Sequence, residues 1–212
     1  MLHKYPSTPH LPFSPGLQND DRRIATFNGL LGHGIVVTEK LDGENTTMYR
    51  DHIHARSLDS RNHPSRNWVK MLWGNISYQI PEGWRVCGEN VYARHSIEYS
   101  NLESYFYGFS VWNEQNVALS WDDTVAFLSA LGMTGLAHVP VLYKGPFNLK
   151  KLEALAASLD SKTQEGFVMR VAGPVHYDEF DRCFAKWVRK DHIQTDEHWM
   201  NQPLVQNKLS GE

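Results

Sequence analysis

The sequence is poor in several features that would by themselves define a class of protein. It contains only two cysteines, Cys87 and Cys183, which lie in predicted strands and not at a metal or redox spacing, so a reduced compartment is expected. It has no recognisable signal peptide and no apolar run long enough to span a membrane. These absences predict a cytoplasmic protein without membrane contact.

An excess of positive charge is also missing. The formal net charge is -3 at pH 7, which argues against a protein that coats nucleic acid through bulk charge. Any contact with nucleic acid must therefore come from a local basic patch. Hydrophobic residues make up 41% and aromatic residues 12% of the 212 residues, so the chain can bury a sizeable core and is neither disordered nor fibrous.

Prolines set the beginning of the chain apart from the rest. Four of them predict an irregular N-terminal arm, residues 1–33, packed on the domain: Pro6, Pro9, Pro12 and Pro15. Residues 34–212 mix strands, helices and hairpins and predict one α+β domain rich in antiparallel strands. The predicted strands are 34–39, 45–50, 53–57, 84–87, 105–112, 140–143, 166–171 and 180–188, and the predicted helices are 65–76, 120–132 and 149–159.

Two of these helices carry local signals. Ser120 is expected to cap the second helix with Asp123 three residues on, and Gly132 is expected to end it. The first helix should bury one apolar face. That face contains Trp68, Met71, Leu72 and Ile76.

The most informative segment is Lys40-Leu41-Asp42-Gly43, which places a lysine at the exit of an apolar strand. A lysine amine becomes a nucleophile only when it loses its proton, and partial desolvation beside a bound cation lowers its pKa enough to permit this. The plainer interpretation is a hairpin lead-in with Asp-Gly as the turn.

Four further motifs follow in order and distinguish between these interpretations. They are Gly88-Glu89-Asn90, the aromatic strand 105–109, Glu165-Gly166-Phe167-Val168 and residues 185–190. Together with Lys40, they resemble in sequence and order the motifs of the covalent nucleotidyltransferases, which are polynucleotide ligases and capping enzymes, and they look closest to the RNA ligases. The resemblance runs from about Glu39 to Lys190. It implies a nucleotidyltransferase domain of the ligase type.

The resemblance also implies a role for the lysine and for the acidic residues around it. Lys40 matches the lysine that attacks the α-phosphate of ATP and expels pyrophosphate, and its neighbours Glu39 and Leu41 are expected to bind the nucleotide. Glu89 matches the carboxylate directed at the nucleotide sugar. Asp42 and Glu165 are expected to bind the divalent metal, Mg²⁺ or Mn²⁺. The alternative is that Glu89 and Glu165 are surface acids at strand ends.

Phe109 resembles the ring that stacks on the purine in this family. Aromatic strands are often plain core, and Phe106 and Tyr107 compete for the role. Because alternate residues of a strand share a face, Tyr107 and Phe109 are expected to point the same way and Phe106 the other.

Lys186 matches the first lysine of the last motif, which binds the α-phosphate in the family, and we expect it to share the catalytic role with Lys40. Many relatives carry a second lysine two residues later, where this chain has Val188. Arg189 and Lys190 follow directly but face alternately, so which of them substitutes, if either, stays open.

Several basic residues are candidates for contacts with phosphate or RNA. Arg56 is expected to bind the nucleotide, and Arg61, Arg66, Arg94 and His95 are expected to bind nucleic acid, although a solvated basic loop is the alternative. Asn45 fits a position that RNA ligases occupy with asparagine, so it is expected at the nucleotide and favours RNA over DNA. His52 and His54 lack the further ligands of a zinc site.

The sequence therefore predicts an ATP-dependent RNA ligase whose partners are RNA and a protein that processes ends or binds strands. In the family, AMP passes from the lysine to an RNA 5′-phosphate, and a 3′-hydroxyl then displaces it. Only 22 residues follow Lys190, so no OB-fold domain is expected. A capping-type guanylyltransferase, a DNA ligase and an inactive RNA-binding module are the alternatives.

Overall fold

The computed structural model describes residues 1–17, 21–59, 62–190 and 203–211. Within these ranges the chain forms two antiparallel sheets with helices, which confirms the predicted α+β class. The strands are β1 Gly34–Lys40, β2 Glu44–Met48, β3 Ile53–Ala55, β4 Arg85–Asn90, β5 Phe106–Trp112, β6 Val117–Ala118, β7 Val141–Pro146, β8 Gly166–Val171, β9 Val175–His176 and β10 Phe184–Val188. The helices are α1 Asn67–Ile76, α2 Trp121–Ala130, α3 Leu149–Ser158 and α4 Phe180–Cys183.

The two sheets divide the strands into a smaller and a larger group. The first sheet has the order β10-β8-β1-β7, and the second has the order β3-β2-β4-β5-β6-β9. One core cluster draws buried side chains from both sheets and from α3, while another packs α1 and α2 against the second sheet. No described helix has the length and apolar character needed to cross a membrane.

The local helix signals are only partly confirmed. Ser120 caps α2 by accepting a hydrogen bond from the Asp123 backbone N–H at 3.1 Å, as predicted. The predicted buried face of α1 is wrong at Met71, which is 59% exposed. Val69 and Ile76 are the buried residues of this helix, and Met71 lies two positions from Val69, about 200° around the axis.

The predicted strand over 180–188 is wrong in its first half. Residues Phe180–Cys183 form α4, and the strand begins only at Phe184. Cys183 therefore ends a helix, whereas Cys87 lies in β4 as predicted. Phe180 and Phe184 are one helical turn apart in sequence, and their rings stack with centroids 4.2 Å apart, which favours the turn over an extended chain.

The N-terminal arm adds to the edge of the first sheet. The Leu11 backbone N–H donates to the Lys186 carbonyl at 2.7 Å, and the Lys186 N–H donates to the Pro9 carbonyl at 2.8 Å, which places this part of the arm parallel to β10. Farther along the arm, the Ile24 N–H donates to the His10 carbonyl at 2.8 Å. The division of the chain at residue 33 stays a prediction, but Leu11 is fully buried in the core.

The segment 203–211 returns to the second sheet and fixes the connection between β4 and β5. Asn207 is buried, and its side-chain amide donates to the Val91 carbonyl at 2.8 Å while its oxygen accepts from the Tyr99 N–H at 2.9 Å. These contacts of Asn207 matter for the site because the same connection carries the residues that bind Asp42.

Truncation of Leu11 tests whether the arm belongs to the cooperative fold. Leu11→Ala should lower the free energy of unfolding by about 2–4 kcal/mol because it removes buried methyl groups and leaves a cavity. Urea unfolding measures the change. Leu31→Ala is the matched control: Leu31 lies on the same arm but is 57% exposed, so its effect should stay within about 0.5 kcal/mol. Equal effects of the two changes would show that the arm is not part of the folded unit.

Candidate active site

A cavity of about 570 Å³ is lined by residues of both sheets and of the N-terminal arm. Strands β1, β8 and β10 supply one wall, and β2, β4 and β5 supply the other. The cavity has the size of a site for a nucleotide-sized molecule. Among its lining residues are Tyr5, Ser7, Thr38, Glu39, Lys40, Leu41, Glu44, Asn45, Arg56, Arg66, Glu89, His95, Phe109, Val168, Arg170 and Lys186.

Lys40 and Glu165 form an ion pair at this cavity. The Lys40 Nζ lies 2.7 Å from each of the two Glu165 carboxylate oxygens. The register of β1 against β8 explains the contact, because Lys40 pairs with Gly166 and Glu165 directly precedes it. Only glycine fits at position 166, since a Cβ there would lie 2.0 Å from the Trp187 carbonyl oxygen. The Glu165 side chain is 4% exposed and that of Lys40 28%.

The surroundings of Lys40 keep its amine protonated. Burial by itself would lower the pKa of Lys40, but the carboxylates of Glu165, Glu89 and Asp42 outweigh burial and raise that pKa above its ordinary value. The sequence expectation of a lowered pKa rested on a bound cation, and the protein's own groups act in the opposite direction. The amine therefore needs a change in this charge balance before it can act as a nucleophile.

Glu89 lies on the opposite wall, in β4. Its Oε1 accepts a hydrogen bond from the Gly43 backbone N–H at 3.2 Å. A Cβ at Gly43 would lie 2.5 Å from the Asn90 carbonyl oxygen, so glycine permits this close approach. Burial raises the pKa of Glu89 to about 8. The raised pKa favours the protonated form, which can donate a hydrogen bond to a ligand oxygen.

Hydrogen bonds hold Asp42 at one of its two carboxylate oxygens. Its Oδ2 accepts hydrogen bonds from the Ser96 N–H at 2.8 Å, the Ser96 hydroxyl at 2.6 Å and the Ile97 N–H at 2.9 Å. The Asp42 backbone N–H donates to the Tyr99 hydroxyl at 2.9 Å. The carboxylate thus holds the segment after β4 against the Lys40 loop. Over the described ranges no three His, Cys, Asp or Glu side chains are grouped as a metal site.

Phe109 is the ring of β5 that lines the cavity. Phe106 is fully buried against α1 and α2, as expected from strand alternation. Tyr107 is buried in another cluster, where its hydroxyl accepts from the Glu103 N–H at 2.9 Å. Phe109 contacts Tyr5 of the arm in a T-shaped arrangement, with ring centroids 5.1 Å apart. Across the cavity, Val168 of β8 offers an aliphatic surface.

Lys186 lies in the cavity wall, and its Nζ is 3.1 Å from an oxygen of Asp21. Burial lowers the pKa of Lys186, partly offset by Asp21. Val188, at the position of the missing lysine, is 1% exposed, and its N–H donates to the Ser14 hydroxyl of the arm at 2.9 Å. The arm therefore covers the position where relatives carry a second lysine. Neither Arg189 nor Lys190 is among the described residues that line the cavity.

The basic candidates separate into cavity and surface residues. Arg66 lines the cavity and pairs with Glu44 through its Nε at 2.7 Å. Arg56 is exposed at the cavity and forms no ion pair with a described residue. Arg94 pairs instead with Glu98 on the surface at 2.9 Å.

Two further candidates complete this comparison. His95 lines the cavity, and its Nδ1 lies 4.0 Å from an Asp42 oxygen. Arg61 lies outside the described residues. The structure thus brings Arg56, Arg66 and His95 to the cavity and leaves Arg94 on the surface.

Arg170 is a cavity residue that the sequence analysis missed. It is 3% exposed, and its guanidinium donates to the carbonyls of Val171 at 3.1 Å and Leu119 at 2.6 Å. Its Nη1 has no hydrogen-bond partner among the described residues, and burial lowers the pKa of Arg170 to about 10. The sequence contained a signal for Arg170: alternate residues of a strand share a face, so Arg170 lies on the same face as Val168 of the motif.

Comparison with known proteins identifies the family and the fold. The sequence profile of the family described as RNA ligase matches residues 34–188. The fold is similar to that of Naegleria gruberi RNA ligase with PPi, with a TM-score of 0.55 and 21% identity, over 92% of this chain and 60% of that one. It is also similar to form 1 of an archaeal ATP-dependent RNA ligase, with a TM-score of 0.60 and 15% identity, over 89% of this chain and 48% of that one.

A mutant of the Naegleria gruberi RNA ligase with ATP and Mn matches as well, with a TM-score of 0.53 and 21% identity, over 87% of this chain and 57% of that one. The chain thus spans about half to three-fifths of the length of the structures that it matches. No curated protein gives a significant match. At these identities the structural similarity establishes the fold.

The raised pKa of Glu89 predicts a pH-dependent stability. The folded protein binds this proton more tightly than the unfolded chain, so stability falls as pH rises from the ordinary value of 4.5 towards 8. Glu89→Gln removes this loss, and its melting temperature should exceed that of the wild type by about 2–6 °C at pH 8.5. Below pH 5 the difference should vanish.

Calorimetry at the two pH values measures this difference. The exposed Glu82 provides the control, and Glu82→Gln should melt within about 1 °C of the wild type at both. A Glu89→Gln protein that is no more stable than the wild type at pH 8.5 would show that ionisation of Glu89 does not lower the stability of the fold.

Proposed function

Since the chain belongs to the RNA ligase family, we propose that it is an ATP-dependent RNA ligase that forms a covalent lysyl-AMP intermediate on Lys40. The observation that carries this proposal is the Lys40 amine itself. It stands at a nucleotide-sized cavity, 2.7 Å from a buried carboxylate and opposite Glu89 and Phe109. A lysine in this position can attack a phosphorus atom once it is deprotonated.

In the first step the Lys40 nitrogen forms a bond to the α-phosphorus of ATP, and the bond from that phosphorus to the pyrophosphate oxygen breaks. The amine must lose its proton, and Glu165 lies within hydrogen-bonding distance to accept it. Transfer of this kind requires positioned charges more than covalent chemistry. Lys186 and Arg56, which both line the cavity, would neutralise the phosphates.

The residues at the cavity fit a divalent metal held mainly through the nucleotide. Mg²⁺ commonly takes one or two protein carboxylates together with substrate phosphates. Glu165, beside the nucleophile, would hold the metal, and Glu89, which lines the cavity, would bind the sugar. The metal, Mg²⁺ or Mn²⁺, would supply positive charge to the phosphates. We assign Asp42 to the loop that it binds, because three donors already occupy one of its oxygens.

The nucleoside would lie between Phe109 and Val168. An aromatic ring on one side and an aliphatic side chain on the other provide a slot for a purine. The buried Nη1 of Arg170 would donate to an acceptor on the base, and the Oδ1 of Asn45, which is buried without a described partner, would accept from a hydroxyl of the ligand. Glu39 and Leu41, which flank the nucleophile, complete this wall.

In the later steps AMP passes to an RNA 5′-phosphate, and a 3′-hydroxyl displaces it to join the strands. The exposed Arg56 at the cavity is suited to meet an incoming phosphate, and His95 and the Arg66–Glu44 pair lie on the same cavity. The roles of Arg61 and Arg94 in RNA binding stay predictions, as does a partner protein that processes ends.

The formation of the adduct tests the proposal. The purified chain incubated with ATP and Mg²⁺ should gain one AMP, and peptide mass spectrometry should place it on Lys40. Lys40→Arg should give no adduct because an arginine side chain stays protonated. Lys144→Arg is the control, because Lys144 is an exposed lysine paired with Asp122. This variant should form the Lys40 adduct as the wild type does.

Three other outcomes would contradict the proposal. An adduct that forms preferentially with GTP would indicate a guanylyltransferase. No adduct with either nucleotide would indicate an inactive RNA-binding module. An adduct that persists in Lys40→Arg would place the nucleophile elsewhere.

Loss of the Arg56 side chain should impair both adduct formation and joining. Removal of a charge-assisted hydrogen bond to phosphate costs about 1.5–3 kcal/mol, so Arg56→Ala should slow each step about 10- to 100-fold. Adduct mass and joining of a 5′-phosphorylated RNA measure the two steps. Arg50→Ala removes an equal charge near the other end of the same hairpin, outside the cavity, and should change both by less than twofold. Unimpaired adduct formation in Arg56→Ala would restrict this arginine to RNA contact.

A further inference from the structure

The N-terminal arm brings a carboxylate to the cation that is proposed to bind phosphate. One oxygen of Asp21 lies 3.1 Å from the Lys186 Nζ, and the other lies 3.0 Å from the His10 Nε2. Both members of the Asp21–Lys186 pair are about four-fifths buried, with side-chain exposures of 19% and 18%. Nothing in the proposed chemistry uses this carboxylate.

The arm holds Asp21 in place through contacts with β10, the strand that carries Lys186. His10 is 1% exposed, and its Nδ1 lies 2.7 Å from the Ser14 hydroxyl. That hydroxyl accepts from the Val188 N–H at 2.9 Å, and the Lys186 N–H donates to the Pro9 carbonyl. The arm therefore places Asp21 beside the strand that carries the lysine that it contacts.

A carboxylate and a phosphate compete for the same ammonium group. Both are anions that accept hydrogen bonds from its N–H donors, and they repel each other when they lie on one cation. A phosphate that reaches Lys186 must therefore take the place of Asp21 or bear its repulsion. The carboxylate has a second partner in His10, so its transfer away from Lys186 leaves it with an imidazole contact.

We propose that the Asp21 carboxylate pairs with Lys186 before ATP binds and that a nucleotide phosphate then displaces it. This competition weakens ATP binding. This inference rests on the proposed role of Lys186 in phosphate binding. The exchange couples the occupancy of the cavity to the arm, because residues 5–8, which precede His10, line the same cavity. Asp21 acts through Lys186 and does not touch the reacting atoms.

Neutralisation of Asp21 tests the exchange. Asp21→Asn keeps the shape of the side chain and its hydrogen-bonding oxygen but removes the competing charge. The half-saturating ATP concentration for adduct formation should fall about two- to fivefold, a range set by the strength of partly exposed ion pairs. The maximal rate should change by less than twofold. The dissociation constant for ATP, measured by titration calorimetry in EDTA, should fall by the same factor.

Asp181→Asn provides the matched control. Asp181 pairs with Arg22 of the arm at 2.7 Å and is half exposed, so the change removes an equal charge and an arm contact without touching Lys186. Its half-saturating ATP concentration and dissociation constant should match those of the wild type. If both values are also unchanged in the Asp21→Asn protein, the proposal is overturned.

A weaker binding of ATP by Asp21→Asn would also overturn it, since Asp21 would then hold Lys186 in position for the phosphate. The calorimetric measurement separates this inference from the proposed function. A wild type that binds ATP but forms no adduct contradicts the proposed ligase, while the comparison of dissociation constants still decides the exchange. If the wild type neither binds ATP in EDTA nor forms an adduct with ATP and Mg²⁺, both fail; if it forms the adduct, the half-saturating ATP concentrations decide the exchange.

Discussion

The ion pair between Lys40 and Glu165 is the contact on which the candidate site depends. The two residues lie 125 positions apart, and the antiparallel register of β1 and β8 brings them together by pairing Lys40 with Gly166. The pair is largely buried, and removal of one partner from such a pair leaves an uncompensated charge. The close packing of Gly166 under the Trp187 carbonyl fixes the register that the pair requires.

Two other cations of the cavity are also paired with carboxylates, whereas Arg56 and Arg170 form no ion pair with a described residue. Lys186 pairs with Asp21, and Arg66 pairs with Glu44, so each of these cations has a carboxylate partner within the protein. Burial also raises the pKa of Glu89, which favours its neutral form. Paired charges explain how a chain with a net charge of -3 can hold a phosphate-binding site: local anions occupy the cations, and a ligand's phosphates can exchange with them.

The sequence predicted the parts of the site that depend on short-range pattern. Lys40 at the end of an apolar strand and the cap by Ser120 follow from neighbouring residues, and both lie where they were expected. The contact of Asp21 with Lys186 was not predictable, because it depends on the path of an irregular arm that carries no period. The metal role of Asp42 stays a prediction, and the sequence did not indicate the tertiary contacts of residues 96 and 97 with one of its carboxylate oxygens. Strand alternation could have indicated Arg170, but only the structure shows it buried at the cavity.

The measurement that tests the central claim most directly is the reactivity of the Lys40 amine with and without the Glu165 charge. Acetic anhydride at pH 8 acylates deprotonated amines, and peptide mass spectrometry gives the rate at Lys40, with the exposed Lys144 as the internal reference. Since Glu165 raises the pKa of Lys40, Glu165→Gln should increase that rate, by up to about tenfold for each unit by which the pKa falls. An unchanged or slower rate at Lys40 in Glu165→Gln would contradict the claim that this carboxylate controls the nucleophile.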